Sequence, residues 1–169
     1  IDATINRKNN TSNIENSNDS YSNVIDQKYR STKVYWIPKT DEFIDIYKMF
    51  MEYVKKCNDD FFKFRLTGII EPIQYSVYTA EDNGHYDWHI DMVTESHRKL
   101  SIVCHLTEPT EYEGGELQIN LGGEGKLTIP EKEKGTIVIF PSYMLHRVTP
   151  VTKGTRRTLV LWVDGPALV

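Results

Sequence analysis

The sequence predicts a mainly β protein in which one helix packs on two antiparallel sheets. One segment, 41–57, carries apolar residues at three- and four-residue spacing. Beyond Asn58, short runs rich in Val, Ile, Tyr, Phe and Thr alternate with Gly, Pro, Asn and Glu. With 169 residues, 39% hydrophobic and 26% charged, the chain can bury a full core as one domain, so most of it is not disordered.

Residues 1–30 read as a polar arm or loop, because six asparagines lie among Ser, Thr and Asp in the first twenty positions. Asn9 and Asn10 formally match glycosylation acceptors, and the missing initiator Met predicts a trimmed or processed chain. The remainder, 31–169, reads as one domain. Val34-Tyr35-Trp36-Ile37 is a short strand closed by Pro38, and Tyr35, Trp36 and Trp88 read as core aromatics. Thr40 or Asp41 can cap a helix over 41–57 in which Phe43, Tyr47, Phe50 or Met51, and Val54 form one apolar face. Strands follow at 62–67, 70–79, 86–91, 99–106, 116–121, 126–129, 136–140, 145–149 and 157–163. A helix followed by this many short strands favours two facing sheets with the helix on an outer face.

Charge and cysteine content narrow the function. Twenty Lys+Arg against 24 Asp+Glu leave a net charge of −4, which offers no bulk attraction for phosphate backbones. No apolar run is long enough to cross a bilayer, and no signal pattern is seen. Two cysteines, Cys57 and Cys104, are too few for a disulfide framework and point to a reducing, cytoplasmic setting, with Cys104 read as a small buried apolar residue.

The chemistry concentrates in Gly84-His85-Tyr86-Asp87-Trp88-His89-Ile90-Asp91-Met92. Strand alternation puts the His89 imidazole and the Asp91 carboxylate on one side and turns Trp88 and Ile90 away. The late His146, between two β runs, supplies a third ligand. Two imidazoles and one carboxylate on one octahedral face leave three positions open, the arrangement that suits non-haem Fe(II) and oxygen. Ten residues later, Arg156 offers a guanidinium fork suited to the far end of a dicarboxylate. If Arg156 faces the site, parity sends Thr158, Val160 and Trp162 there too and Arg157, Leu159, Leu161 and Val163 away.

His89-x-Asp91, the distal His146 and Arg156, with Glu113-Gly114-Gly115-Glu116-Leu117 between them, resemble the Fe(II)/2-oxoglutarate-dependent dioxygenases, in particular the prolyl 4-hydroxylase-like branch. The resemblance covers about residues 34–166 and implies a double-stranded β-helix, a jelly roll of two antiparallel sheets. It implies His89, Asp91 and His146 as iron ligands and Arg156 as the 2-oxoglutarate anchor. Tyr78, eleven residues before His89, resembles a tyrosine that hydrogen-bonds the cosubstrate. His105 stands where some prolyl hydroxylases place a tyrosine that assists the basic residue, and its parity groups it with Ser101 and Val103. Arg98 and Trp162 resemble residues near the substrate proline. The implied activity uses Fe(II), 2-oxoglutarate and O2, with ascorbate as reductant, to hydroxylate a prolyl residue in a peptide or protein, giving succinate and CO2. Because both imidazoles must be neutral to bind metal, activity is expected to fall below about pH 6.

Two other functions compete: a nucleic-acid demethylase of the same superfamily, which the negative charge opposes, and a non-catalytic jelly-roll binding module, which the complete ligand set opposes. His85 and His89 would form a zinc face on a helix, but Gly84 and the alternating aromatics favour a strand. His97 reads as solvated. The paired glycines at 114–115 and 122–123 lead into no helix with a Lys-Ser or Lys-Thr, so they are turns and not phosphate loops.

Overall fold

The computed structural model describes residues 28–92, 97–123 and 125–167. The predicted arm up to residue 27, with both glycosylation-type sequences, lies outside the described residues. In chain order the elements are β1 (Arg30–Ser31), β2 (Lys33–Ile37), α1 (Ile44–Cys57), a π-helical turn (Asn58–Phe62), β3 (Ile73–Thr79), β4 (His85–His89) and β5 (Arg98–His105). After a 3-10 turn (Pro109–Glu111) come β6 (Tyr112–Gly114), β7 (Leu117–Asn120), β8 (Leu127–Thr128), β9 (Ile137–Pro141), β10 (His146–Val148) and β11 (Val151–Asp164).

The strands form two antiparallel sheets, the predicted jelly roll. The minor sheet runs β1-β4-β10-β7-β8 and the major sheet β2-β3-β11-β5-β9, with β6 added to the first part of β11. Alternation along β11 sorts its side chains as the sequence predicts. Leu159, Leu161 and Val163 face the helix, while Arg156, Thr158, Val160 and Trp162 face the space between the sheets.

The helix lies on the outer face of the major sheet, where Tyr47, Phe50 and Val54 bury against Ile73, Ile102 and Leu161. Each such side chain contributes roughly 1.5–3 kcal/mol by leaving water. Tyr47 also closes a polar gap: its hydroxyl donates to Ile37 O at 2.6 Å and accepts from Ile73 N–H at 3.0 Å, joining the helix to β2 and β3.

Four sequence expectations are corrected. The helix begins at Ile44, and neither Thr40 nor Asp41 caps it, because Phe43 N–H donates to Thr40 O at 3.0 Å in a preceding turn and Phe43 itself occupies the cap without a side-chain bond. The 62–67 strand is absent. Asn58 instead donates to Phe64 O and accepts from Phe64 N–H, folding this stretch into a loop with Lys63 at φ 59°. Strand β11 begins at Val151, six residues before the expected start, since 151–154 already pair with β6 across a bulge between Val151 and Lys153. Trp36 and Trp88 are not core residues. Trp36 is 47% exposed beside the inter-sheet cavity, and Trp88 carries the Arg147 guanidinium 4.6 Å above its ring. Tyr35 does pack on the core, Cys104 is buried, His97 is exposed, and both cysteines are free. No helix among the described residues is long and apolar enough to cross a membrane.

Candidate metal centre

The two sheets enclose a cavity of about 210 Å³, and His89, Asp91, His146, Arg156, Tyr78, Arg98 and Trp162 all line it. His89 ends β4 and His146 begins β10; the two are direct cross-strand partners, with ring centroids 4.1 Å apart. Asp91 follows β4, where its N–H donates to Ser142 O at 3.0 Å. One ligand atom from each of the three lies within 4.8 Å of the other two, the one such group among the described residues. His89 Nε2 is 3.7 Å from Asp91 Oδ1 and His146 Nε2 is 3.5 Å from Asp91 Oδ2, close to the ~3 Å edge that ~2.1 Å bonds at right angles require.

The backbone sets the tautomer of both imidazoles. Asp87 O lies 2.7 Å from His89 Nδ1 and Met144 O lies 2.9 Å from His146 Nδ1. A carbonyl only accepts, so each Nδ1 carries the proton and each Nε2 offers its lone pair toward Asp91. Burial, and then the neighbouring His146, push the His89 imidazole down to about 4. His85 is not part of the centre. Its ring nitrogens lie 2.7 Å from Asn83 O and 2.9 Å from Lys28 O, which removes the zinc alternative.

Arg156 is 1% exposed, and its Nε and Nη2 meet no hydrogen-bond acceptor. Tyr78, its cross-strand partner, lies beneath the guanidinium at 5.2 Å. Burial pushes Arg156 below its ordinary value, opposed by Tyr78 and Tyr112 and by no carboxylate. A buried cation with idle donors on a cavity wall fits an anionic ligand. Gly115 makes room for it, because a Cβ there would meet Arg156 Cδ at 2.8 Å, and φ 59° also favours glycine. His105 is buried opposite Thr158 on β5, off the cavity lining, with both ring nitrogens unpartnered; burial first, then Arg156, lower it to about 4.

At the open side, Arg98 lies 3.7 Å above the Trp162 ring and donates from Nε and Nη2 to the Glu71 carboxylate at 2.6 and 2.5 Å. Its Nη1 reaches Asp91 O at 3.3 Å.

The sequence reading missed Glu71, Trp36, Gln74, Tyr86 and Ser142. Tyr86 stacks on His89 at 3.5 Å although parity would turn it outward, because β4 has one more residue than β10 between the paired positions. No sequence signal announces that bulge. Ser142 was discoverable only through its place in the segment leading to His146.

A jelly roll with two imidazoles and a carboxylate converging in its inter-sheet cavity is the setting of a mononuclear metal-dependent oxygenase. The 2OG-Fe(II) oxygenase superfamily model matches residues 73–164, and the chain belongs to that family. A PKHD-type hydroxylase from Synechococcus sp. (strain CC9605) is 40% identical over 84 residues, covering 47% of this chain and 36% of that protein. The chain spans between 36% and 48% of the length of the first curated relatives it matches. In fold it is similar to a prolyl-4-hydroxylase from Pseudomonas putida (TM-score 0.68, 23% identity, 85% of this chain and 77% of that one). It is also similar to a Trichoplax adhaerens prolyl hydroxylase solved with a hypoxia inducible factor peptide (TM-score 0.69, 20% identity, 82% and 64%).

Proposed function

We propose that this protein is an Fe(II)- and 2-oxoglutarate-dependent hydroxylase acting on a prolyl residue of a peptide or protein, with succinate and CO2 as coproducts. The observation that carries the reading is one cavity holding both His89, Asp91 and His146 and the unpaired Arg156. The donor set fits the metal: two neutral nitrogen donors and one carboxylate suit Fe(II) and leave positions for cosubstrate and O2. When bound, iron supplies the oxygen-activating chemistry.

The chain's own residues bind, orient and exclude water. His89, Asp91 and His146 hold the metal on one side. Arg156, with Tyr78 beneath it, takes the distal carboxylate of 2-oxoglutarate, and the neutral His105 behind it adds no competing charge. Val103, Leu117, Val148 and Val160 form the apolar part of the same lining, and the burial of Arg156 strengthens an ion pair there. Arg98 and Trp162 border the substrate side. Glu71 neutralises Arg98, so its remaining N–H groups suit an uncharged acceptor such as a peptide carbonyl rather than a carboxylate. The relatives' printed names, PKHD-type hydroxylase, and the peptide bound in the Trichoplax neighbour support the prolyl, peptidyl reading.

The test is incubation of proline-containing peptides with Fe(II), 2-oxoglutarate and ascorbate, read by mass spectrometry for the gain of one oxygen and by succinate release. Asp91→Ala should abolish both. Succinate release that survives in Asp91→Ala would exclude this metal centre. Turnover of 2-oxoglutarate with no oxidised peptide would exclude the prolyl substrate alone.

A further inference from the structure

One cation in the cavity lining is left unused by the proposed chemistry. The segment 30–37 crosses from one sheet to the other, since β1 pairs with β4 in the minor sheet and β2 pairs with β3 in the major one. It brings two residues to the lining, Arg30 and Trp36. Arg30 is the cross-strand partner of Tyr86, and its guanidinium lies 4.5 Å over the Tyr86 ring. Tyr86 in turn stacks on His89 at 3.5 Å, so the cation shares a stack with a candidate metal ligand.

Among the described residues no carboxylate forms an ion pair with Arg30, and its Nη2 is buried without a hydrogen-bond partner. Two acids close to β1 have other partners. Asp82 pairs through its carboxylate with Lys33 at 2.9 Å, and Asp87 Oδ1 accepts from Trp88 N–H at 2.8 Å. Counting the charges of the lining isolates Arg30. Besides the imidazoles, the ionisable groups with a fixed charge there are Arg30, Asp91, Arg98 and Arg156. Glu71 matches Arg98, and Asp91 offsets Arg156. A divalent metal and the 2-oxoglutarate dianion, seated as proposed above, cancel one another. Arg30 remains, in a chain whose net charge is −4. A cation with a buried, idle donor fits a carboxylate, which accepts charge-assisted hydrogen bonds from a guanidinium. Both carboxylates of 2-oxoglutarate have other partners in this reading, one at the metal and one at Arg156, so Arg30 is left for the primary substrate.

We propose that Arg30 is a specificity residue that takes the carboxylate of an acidic side chain, Asp or Glu, lying one or two positions from the prolyl residue to be hydroxylated. The inference rests on the function proposed above and narrows its substrate class. Reach sets the spacing. An extended chain advances ~3.3–3.6 Å per residue, so a side chain one or two positions from the target reaches a group stacked one ring away from His89. The substrate side then divides its tasks. Arg98, matched by Glu71, suits a neutral peptide carbonyl, Trp36 and Trp162 offer aromatic walls, and Arg30 reads charge. A basic side chain at the same place meets repulsion, which rejects such peptides.

The experiment measures, by calorimetry, the binding of end-blocked pentapeptides to the full chain loaded with Mn(II) and 2-oxoglutarate, and then their oxidation with Fe(II) by mass spectrometry. Each peptide has proline at the centre and alanine elsewhere, with one alanine replaced in turn by Glu, Gln or Lys. With the parent, Glu should bind about tenfold or more tighter than Gln at one of these positions, the effect of one charge-assisted hydrogen bond, and Lys should bind more weakly than Gln. Added salt should narrow the Glu-to-Gln ratio. Arg30→Gln should bring the ratio close to one, Arg30→Lys should keep part of it, and Arg30→Glu should turn the preference to Lys. Each ratio compares two peptides on one protein sample, so any loss of folded or metal-loaded protein cancels.

A Glu-to-Gln ratio near one at every position in the parent, or a ratio that Arg30→Gln leaves intact, overturns the inference, while oxidation of the same peptides at proline keeps the proposed function. A Glu preference in binding with no oxygen gained at proline overturns it too, because the acid is then read away from a hydroxylated residue. If the loaded parent neither binds nor oxidises any of the peptides, the prolyl reading and this inference fall together.

Discussion

Replacing Arg156 with Met should make the ligand-free protein more stable while removing its grip on the cosubstrate. The guanidinium is 1% exposed and two of its nitrogens lack acceptors, so the folded state bears much of the cost of taking a charge out of water. The compensation comes from the Tyr78 ring at 5.2 Å, worth roughly 0.5–2 kcal/mol, and from Tyr112, which also favours the charged form. Exchanging buried charged groups for apolar ones of similar volume commonly stabilises by about 1–4 kcal/mol. The net expectation for Arg156→Met is about 1–3 kcal/mol, and at ~2–4 °C per kcal/mol the thermal midpoint rises by about 2–12 °C. Cosubstrate binding moves the other way. Losing two charge-assisted hydrogen bonds of ~1.5–3 kcal/mol each weakens 2-oxoglutarate by at least about a hundredfold. Thermal and urea unfolding without ligands measure the first effect, and calorimetric titration of the Mn(II)-loaded protein measures the second. If the ligand-free variant is less stable than the parent by more than about 1 kcal/mol, Arg156 is a structural residue and the ligand argument built on its idle donors fails.

Three further outcomes follow from other parts of the molecule. His105 is held down at about 4, by burial first and Arg156 next, against an ordinary value of 6.5. Between those values the unfolded chain binds a proton that the folded chain refuses. The His105 contribution is therefore complete above about pH 6.5 and is lost at about 1.4 kcal/mol per unit as pH falls toward 4. Urea unfolding across that range should show a shallower pH slope for His105→Asn than for the parent; parallel slopes would refute the assignment. Tyr47→Phe removes the hydroxyl shared by Ile37 O and Ile73 N–H, so it should destabilise by roughly 2–3 kcal/mol in chemical denaturation with metal affinity unchanged. Trp36→Ala, at an exposed cavity edge, should raise KM for a peptide several-fold and leave 2-oxoglutarate affinity as it was, and a matching loss of both would place Trp36 deeper in the site than its 47% exposure indicates.

The candidate site was legible to different depths. His89, Asp91, His146 and Arg156 stood out because each combines a rare residue type with a strand position whose parity can be counted, and the structure brings all four to one cavity. Trp162 followed from Arg156 by the same parity. Tyr86 did not follow, since a one-residue bulge in β4 reverses the expected side and nothing in the local residues marks it. Glu71 is an unremarkable acid in a loop until folding sets it against Arg98, 27 positions away. Trp36 and Trp88 were misread because residue type predicts burial on average, whereas their positions on β2 and β4 face outward or toward the cavity opening.

Local order in the chain determined the period of the helix, the rhythm of the strands, the alternation that separates core from cavity along β11, and the identity of the metal-ligand candidates. Each of these depends on φ/ψ periodicity and side-chain chemistry, which neighbouring residues carry with them. Only the tertiary structure decided which strands pair, where the bulge falls and which carbonyl fixes each imidazole tautomer. The strand pairing alone joins residues as far apart as Gln74 and Val160, and this geometry is set by how two sheets pack rather than by anything written between them.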